Sequence, residues 1–404
     1  MRSPDTSGIV VVGASLAGLR ACEALRSRGY RGRLTLVGDE PYVPYDRPPL
    51  SKALLAGAAG PEALAFPLDA SLDIQLRLGV PAVGLDLAAR EVELADSTRL
   101  PFDGLVIATG SSARTWPGDT PPGVHVLRGR DDALALRAEL HAGARLVVVG
   151  GGFIGSEVAA TARQLGAHVT LIEAEPQPLR RAVGEAAGRF LARIHTAAGV
   201  DLRTGTKVDG FTGTDRLTGV ALSDESWIEA TVAVVALGAV PNTRWLEGSG
   251  LLLDRGVVCD AYCRALLADG SPAPAVVAAG DVARWPHPFA ADDTVALGHW
   301  SNAVEQAEAA AGTLTAQEAG PHRYLPIPSF WSDQYDVRFR SVGLPALADE
   351  ARVLEDESAD RRLEVAYYRQ GRLIGALTAN RIGRIAAYRR RLTAELSAEC
   401  EQFA

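Results

Sequence analysis

The segment 147–157 constrains the fold of this chain more than any other stretch of its sequence. A valine-rich run at its start indicates a buried strand, and Gly150, Gly152 and Gly155 follow it at G-x-G-x-x-G spacing. A helix-compatible run comes next, and then a second apolar run that ends in Glu173. The glycines permit a tight turn, a close approach of a pyrophosphate and close packing of helix on strand. The segment therefore predicts a strand–turn–helix–strand unit that binds a dinucleotide, with Glu173 on the adenosine ribose.

A second unit of the same kind stands near the start of the chain. Ile9–Val12 is a short apolar strand, and the sequence GASLAG at residues 13–18 leads into a helical pattern. The next strand closes at Asp39, and Ser15 replaces the middle glycine with a residue small enough for a phosphate to approach. An ordinary βαβ start without a nucleotide is the alternative, but two such units in one chain support each other.

The chain contains two similar halves and a different C-terminal part. Each glycine unit is followed at a comparable distance by a buried strand with a small-residue turn, at 104–110 and at 232–238. Short strands at 337–342, 363–368 and 373–377 and a basic helix at 382–396 follow residue 328. We therefore predict an α/β fold with two Rossmann-like three-layer nucleotide-binding domains and a C-terminal α+β domain.

Composition and charge exclude several classes of protein. A net charge of −8 argues against nucleic-acid binding, and no run approaches the roughly 18 apolar residues of a membrane span. The apolar N-terminal stretch is better explained as a buried strand than as a signal peptide, so we expect a cytoplasmic protein. The four cysteines, Cys22, Cys259, Cys263 and Cys400, form no C-x-x-C pair, so we expect neither a disulfide framework nor a metal site.

The segment 41–52, PYVPYDRPPLSK, is a proline-stiffened loop that we expect to enter a helix. Rigid loops that carry a few charges often frame a functional site. A simple spacer is the alternative, and composition alone favours it.

Taken together, these residues resemble the two-dinucleotide-domain flavoproteins, and most of all the NADH-dependent ferredoxin reductases of oxygenase and cytochrome P450 systems. The resemblance covers essentially the whole chain. The strings PPLSK at 48–52 and FWSDQ at 330–334 are more specific to this branch than the glycine units, which many flavoproteins share.

The resemblance implies an FAD site, an NADH site and three reactive side chains. The implied FAD contacts are Gly13, Ala14, Ser15, Leu16, Ala17, Gly18, Asp39, Lys52, Val83, Ala108, Thr109, Gly110, Arg128, Gly280, Asp281 and Trp300. The implied NADH contacts are Gly150, Gly151, Gly152, Phe153, Ile154, Gly155, Glu157, Glu173 and Gly238. Lys52 would lie beside the flavin ring, Glu157 near the nicotinamide as a partner of Lys52, and Trp331 where electrons leave. Without the resemblance, Glu157 would be read as a solvated helix residue and Trp331 as a core aromatic.

The resemblance also implies domain boundaries and a coenzyme. Residues 1–112 and 240–318 would form a discontinuous FAD-binding domain, residues 113–239 an NADH-binding domain, and residues 319–404 an α+β interface domain. Glu173 is a carboxylate where NADPH would place a phosphate, so it favours NADH, although Arg180 and Arg181 could soften this preference.

The positions of the cysteines bear on the electron acceptor. Disulfide reductases with this fold carry a cysteine pair in the first helix after Asp39, where this chain has Pro48-Pro49-Leu50-Ser51-Lys52. We therefore expect single electrons to pass to an external carrier, an acidic [2Fe-2S] ferredoxin. Arginines of the C-terminal part would attract it, unless they are only a solvated face: Arg338, Arg340, Arg384, Arg389, Arg390 and Arg391.

Three further functions compete with this interpretation. An NADH oxidase or peroxidase would need a redox cysteine near the flavin, and none is placed for it. An NADH-sensing interaction protein akin to apoptosis-inducing factor and a rubredoxin reductase are both compatible with the sequence. Both a monomer and a homodimer are compatible with it as well.

Overall fold

The structure, a computed structural model, describes residues 8–291, 293–316, 320–357 and 359–402, and for residues 398–402 it gives the backbone alone. The predicted boundary between residues 318 and 319 and the side chain of Cys400 lie outside the described residues. The chain divides into two compact units, of which the first comprises Met1–Asp46, Ala65–Ser112 and Val240–Pro328. The second unit comprises Arg47–Leu64, Ala113–Ala239 and Ser329–Ala404.

The helices and strands of the described residues are numbered in chain order. The six α-helices are α1 (Leu16–Ser27), α2 (Arg130–Glu139), α3 (Phe153–Gln164), α4 (Arg180–Ala197), α5 (Trp300–Leu314) and α6 (Ile382–Gln402). The strands are β1 (Ile9–Val12), β2 (Leu34–Val37), β3 (Gln75–Arg77), β4 (Ala82–Asp86), β5 (Glu91–Leu94), β6 (Arg99–Pro101), β7 (Gly104–Ile107), β8 (Ser111–Ala113), β9 (Val124–His125), β10 (Arg145–Val149), β11 (His168–Glu173), β12 (Asp201–Thr204), β13 (Val208–Thr212), β14 (Gly219–Leu222), β15 (Trp227–Glu229), β16 (Val232–Val235), β17 (Ala239–Pro241), β18 (Val257–Val258), β19 (Arg264–Leu266), β20 (Pro272–Ala278), β21 (Ala283–Pro286), β22 (Thr294–Val295), β23 (Ser329–Gln334), β24 (Val337–Gly343), β25 (Glu350–Glu357), β26 (Arg362–Arg369) and β27 (Arg372–Ala379).

The first unit is built on a six-stranded sheet in the order β19-β20-β7-β1-β2-β3. Its strands are parallel except at β19, which pairs antiparallel with β20. The strand β1 is central and fully buried, because valine and isoleucine fit a pleated surface that is covered on both faces. It pairs with β2 on one side and β7 on the other, so the chain reverses its direction of winding at the carboxyl end of β1, where ligands bind in such sheets.

The second unit contains a parallel sheet of the same type, in the order β12-β11-β10-β16-β9. The strand β10 is in the position of β1, since it pairs with β11 on one side and β16 on the other. The helix α3 follows β10 and packs on β10 and β11. The predicted fold class is confirmed for both glycine units.

A five-stranded antiparallel sheet, β23-β24-β27-β26-β25, and the helix α6 form the C-terminal part of the second unit. The sheet packs on α4 through a buried cluster that includes Phe190, Phe339, Val365 and Tyr367. The strands predicted at 337–342, 363–368 and 373–377 correspond to β24, β26 and β27, whereas neither edge strand was predicted. Both β23 (SFWSDQ) and β25 (EARVLEDE) are rich in polar residues, so they show no clear apolar alternation.

The proline loop ends differently from the prediction. Residues 48–51 form a single 3₁₀ turn, and the chain continues through turns instead of an α-helix. Two prolines in a row remove two backbone donors, and Gly57 follows with a φ of +75°. The segment therefore presents Ser51 and Lys52 from a tight turn.

Candidate functional site

The first glycine turn joins β1 to α1 with no room for a side chain at two positions. Gly13 has a φ of +120°, and a Cβ on it would stand 2.0 Å from the carbonyl oxygen of Ala108. A Cβ on Gly18 would stand 1.9 Å from the carbonyl oxygen of Gly13. Ala14 and Ser15 form the turn, and the helix begins at Leu16 and continues through Ala17, so its free N-terminal amides lie at this turn. Such a terminus favours a phosphate group.

Other predicted residues of this unit lie in loops after strands of the first sheet, at the start of α5 and in β4. The carboxylate of Asp281 accepts a hydrogen bond from the Ser111 hydroxyl at 3.0 Å. Asp39, just after β2, accepts one from the amide of Glu40 at 3.0 Å. The indole of Trp300 donates to Asp46 at 2.9 Å, and Val83 lies exposed in β4.

Two polar residues that the sequence analysis missed hold these loops in place. Thr109 and Asn242 bond reciprocally: the threonine hydroxyl donates to the asparagine carbonyl at 2.8 Å, and the asparagine amide returns a bond at 2.9 Å. The side chain of Gln306 accepts from the amide of Gly280 at 2.9 Å. A single polar residue that lies far in sequence from its bonding partner belongs to no motif or periodic pattern. Only the tertiary structure therefore reveals that Asn242 and Gln306 are these partners.

The second glycine turn, between β10 and α3, repeats the geometry of the first. Gly150 has a φ of +106°, and a Cβ on it would stand 2.5 Å from the Ala236 carbonyl oxygen. A Cβ on Gly155 would stand 2.0 Å from the Gly150 oxygen, whereas no described atom beyond the neighbouring backbone lies within 4 Å of one on Gly152. Open space at the middle glycine and crowding at the outer two fit a backbone that cradles a pyrophosphate.

Glu173 lies directly against this turn. One of its carboxylate oxygens accepts from the amide of Gly151 at 2.8 Å, and the other accepts from the amide of Glu175 at 2.8 Å. Both turns thus combine a glycine cradle, a helix N-terminus and a nearby carboxylate. This donor set fits the pyrophosphate and ribose of a dinucleotide.

Three side chains converge on the carboxylate of Glu157, in the second turn of α3. Lys52 places its Nζ 2.5 Å from Oε2, and the Ser51 hydroxyl donates to the same oxygen at 2.6 Å. The Ser332 hydroxyl donates to Oε1 at 2.6 Å, and Thr161 fixes the loop by donating to the Ser51 carbonyl at 2.7 Å. The pairing of Lys52 with Glu157 was expected, whereas the roles of Ser51, Thr161 and Ser332 were not.

The Glu157 cluster contains an ion pair that is largely shielded from solvent. Glu157 is 7% exposed and Ser332 is fully buried, while the Lys52 side chain keeps 25% of its surface accessible. A buried carboxylate is tolerated when a cation and several donors satisfy it. The cluster therefore presents one partly accessible ammonium group whose position is fixed from three segments of the chain.

Trp331 and Ser332 point to opposite faces of β23, because side chains alternate along a strand. The indole of Trp331 is 38% exposed. Next to it, Phe330 packs edge-on against Phe153 of α3, with ring centroids 4.8 Å apart, and Ile154 is exposed. One strand therefore contributes a residue to the Glu157 cluster and an aromatic ring to the surface.

Arg128 and Gly238 belong to loops of the second unit. The amide of Arg128 donates to Asp132 at 2.9 Å, and its carbonyl accepts from Arg47 at 2.8 Å. Gly238 has a φ of +92° and accepts from the amide of Arg114 at 2.9 Å. These bonds fix the backbone of both predicted contacts.

The three cysteines with described side chains are buried. Burial raises the pKa of the thiols of Cys22, Cys259 and Cys263, so the reactive thiolate form is disfavoured in each. Among the described residues no group of three or more His, Cys, Asp or Glu could hold a metal ion, and no helix is long and apolar enough to cross a membrane.

The arginines expected to attract a ferredoxin lie in a C-terminal part that is not basic overall. Residues 329–404 contain 12 arginines and 12 acidic residues, so their formal net charge is zero. Positive charge is concentrated in residues 382–393, which carry four arginines and no acid. In this segment Arg384 lies 3.4 Å from Glu364, and Arg391 lies 3.2 Å from Glu395.

Comparison with known proteins places this architecture in a family. Residues 7–307 match the pyridine nucleotide-disulphide oxidoreductase family, and residues 329–404 match the reductase C-terminal domain. The chain belongs to the pyridine nucleotide-disulphide oxidoreductase family, and it is an oxidoreductase.

Similar proteins cover nearly the whole chain. Rhodocoxin reductase of Rhodococcus erythropolis is 38% identical over 402 residues, which are 98% of this chain and 92% of that protein. The ferredoxin–NAD(+) reductase component of the anthranilate 1,2-dioxygenase system of Burkholderia cepacia is 38% identical over 403 residues, with 98% and 96% covered. The crystal structure of the covalent putidaredoxin reductase–putidaredoxin complex contains a chain that superposes with a TM-score of 0.89 at 33% identity, with 97% and 94% covered.

Proposed function

We propose that this chain is an FAD-dependent reductase that takes electrons from NADH and delivers them singly to a [2Fe-2S] ferredoxin of an oxygenase or cytochrome P450 system. The observation that carries the proposal is the presence of two glycine turns, each at the carboxyl end of a central parallel strand. Glu173 accepts a bond from the second turn, and Asp39 follows β2, the strand that pairs with β1. The ferredoxin as acceptor is supported by the names of relatives that match over nearly the whole chain.

The residues of the first unit fit FAD, and those of the second fit NADH. The turn from Gly13 to Gly18 would hold the FAD pyrophosphate, Asp39 its adenosine ribose and Asp281 its ribityl chain. The turn from Gly150 to Gly155 would hold the pyrophosphate of NADH. When bound, FAD accepts two electrons together as hydride and can release them one at a time.

The Glu157 cluster supplies a fixed positive charge for this chemistry. The ammonium group of Lys52 favours the negative charge that accumulates on reduction, and electrostatic stabilisation of this kind needs a preorganised group. Glu157 holds that group in place, while Ser51 and Ser332 hold Glu157. These residues position a charge and need not exchange a proton.

Two features support an external protein as the electron acceptor. The loop at 47–64 contains no cysteine, and the described cysteines are buried, so no thiol pair among them is available as a relay. Trp331 offers an exposed aromatic ring on β23, and the arginines of residues 382–393 would attract an acidic ferredoxin. The cytoplasm as location, and a monomer or homodimer as the assembly, remain part of the proposal.

The test is a reconstitution with purified protein. NADH should bleach the flavin absorbance of the yellow protein, and a [2Fe-2S] ferredoxin should then support the reduction of cytochrome c. A stable charge-transfer complex without ferredoxin turnover would favour an NADH sensor instead, and turnover with rubredoxin alone would identify a rubredoxin reductase. A lack of turnover with every carrier would contradict the proposal.

A further inference from the structure

The loop that follows β11 is fixed against the second glycine turn. The amide of Glu175 donates to the Glu173 carboxylate at 2.8 Å, and the carbonyl of Glu175 accepts from the amide of Gly205 at 3.0 Å. The amide of Leu179 donates to the carbonyl of Gly151 at 2.9 Å. Glu175 therefore has a defined position beside the carboxylate that would bind the adenosine ribose.

The side chain of Glu175 pairs with the two arginines that open α4. Its Oε1 accepts from Nε of Arg181 at 2.9 Å and from Nη2 at 2.7 Å, and its Oε2 lies 3.6 Å from Nη1 of Arg180. Glu175 keeps 28% of its side-chain surface exposed, and the arginines keep 44% and 81%. All three groups can therefore be reached by a bound molecule.

Arg180 and Arg181 place two positive charges side by side in the first turn of α4. A kink at Gly184, with a φ of 76° and a ψ of -179°, separates this turn from the rest of the helix. The first turn of α4 contains no acidic residue. The carboxylate of Glu175 is therefore the anion that compensates this cluster of positive charge.

We propose that Glu175 is a specificity-determining residue that withholds Arg180 and Arg181 from the 2′-phosphate of NADPH. The inference rests on the proposed function, in which the turn at 150–155 binds NADH. NADPH differs from NADH by a phosphate on the adenosine ribose, and an arginine fork binds a phosphate as readily as a carboxylate. Glu173 repels that phosphate directly, and Glu175 occupies the groups that would otherwise attract it.

The test compares two nucleotide fragments that differ only in this phosphate. Calorimetry of the intact holoprotein would measure the Kd of 5′-AMP and of 2′,5′-ADP for the wild type and for Glu175→Gln. The substitution should lower the Kd of 2′,5′-ADP about fivefold, because it removes one negative charge and frees the arginines. This gain in affinity should be smaller at high salt. The Kd of 5′-AMP should stay within about twofold.

Two further variants separate this role from a general effect of charge. Glu185→Gln makes the same charge change on the same helix, where Glu185 pairs with Arg189, and it should leave both constants unchanged. Adding Arg181→Gln to Glu175→Gln should abolish the gain. An unchanged Kd of 2′,5′-ADP in Glu175→Gln, or an equal gain in Glu185→Gln, would overturn the inference. A wild type that binds neither 5′-AMP nor NADH would overturn the proposed function and this inference with it.

Discussion

The hydroxyl of Ser332 donates to Oε1 of Glu157 over 2.6 Å, and both groups are buried. Gln334, two residues further along β23, donates to the same hydroxyl at 3.1 Å. The C-terminal sheet is therefore part of the support for the charged pair of Lys52 and Glu157. The sheet therefore does more in the second unit than pack against α4.

Ser332→Ala should weaken the Glu157 cluster. A hydrogen bond to a buried charge contributes roughly 1.5–3 kcal/mol, so the variant should lose about 2 kcal/mol of stability. NADH should also reduce the flavin more slowly, because Glu157 and Lys52 are less well fixed. Stopped-flow absorbance and urea unfolding would measure both effects.

Ser341→Ala is the matched control for this substitution. Ser341 is equally buried in the same sheet, but its hydroxyl donates to the neutral carbonyl of Ala376 at 3.1 Å. Ser341→Ala should lower the free energy of unfolding and leave the rate of flavin reduction by NADH unchanged. Equal slowing in both variants would show that Ser332 acts only through the fold.

Lys52→Met should leave the Glu157 carboxylate buried without its cation. Breaking a buried pair costs about 3–5 kcal/mol, and the partial exposure of Lys52 reduces the expected loss to about 2 kcal/mol. The double variant Lys52→Met/Glu157→Gln should recover more than half of this loss. A double-mutant cycle by urea unfolding would measure the coupling, and simple additivity would contradict the pairing.

Trp331→Ala should impair transfer to ferredoxin and spare the earlier steps. The exposed ring is proposed to lie where electrons leave, so ferredoxin-dependent reduction of cytochrome c should fall about tenfold or more, equivalent to roughly 1.4 kcal/mol of barrier. The reduction of ferricyanide by NADH should be unchanged. Trp227→Ala, which removes a 53% exposed tryptophan from β15, is the control and should alter neither reaction. A parallel loss with both acceptors would argue against the role of Trp331.

His195 should make the second unit less stable in mild acid. Burial lowers the pKa of His195 from 6.5 to about 4, while its Nδ1 lies 3.0 Å from the Tyr335 hydroxyl. His195 takes up a proton near pH 6.5 in the unfolded chain and only near pH 4 in the folded chain. The contribution of neutral His195 to the free energy of unfolding is therefore complete above pH 6.5 and is lost as the pH falls towards 4. The loss should approach about 3 kcal/mol.

The measurement is urea unfolding between pH 7.5 and pH 4.5, in wild type and in His195→Gln. The free energy of unfolding of the variant should fall less steeply as the pH is lowered, because the variant lacks the imidazole that takes up a proton on unfolding. His168→Gln, at an exposed histidine of β11, should keep the slope of the wild type. Identical slopes in all three proteins would refute the assignment.

Local patterns in the sequence were sufficient to predict both glycine units. A buried strand, a glycine turn and a helix are fixed by neighbouring residues, and the positive φ of Gly13 and Gly150 is required by the turn itself. The same reasoning failed for β23 and β25, because these edge strands are rich in polar residues and show no apolar alternation, although each pairs with the next strand along the chain. The helix predicted after the proline loop was also absent, because two adjacent prolines and a nearby glycine favour turns.

The sequence by itself therefore determined the fold class, the two nucleotide-binding turns and the chemical type of the predicted site residues. Apart from the pairing of Lys52 with Glu157, which the family resemblance implied, only the tertiary structure decided which polar groups meet. Ser332 is 175 residues from Glu157, and nothing in the local sequence of either residue specifies the other. The same holds for Asn242 with Thr109, since a long-range hydrogen bond arises when packing brings two segments together and buried polar groups must be satisfied.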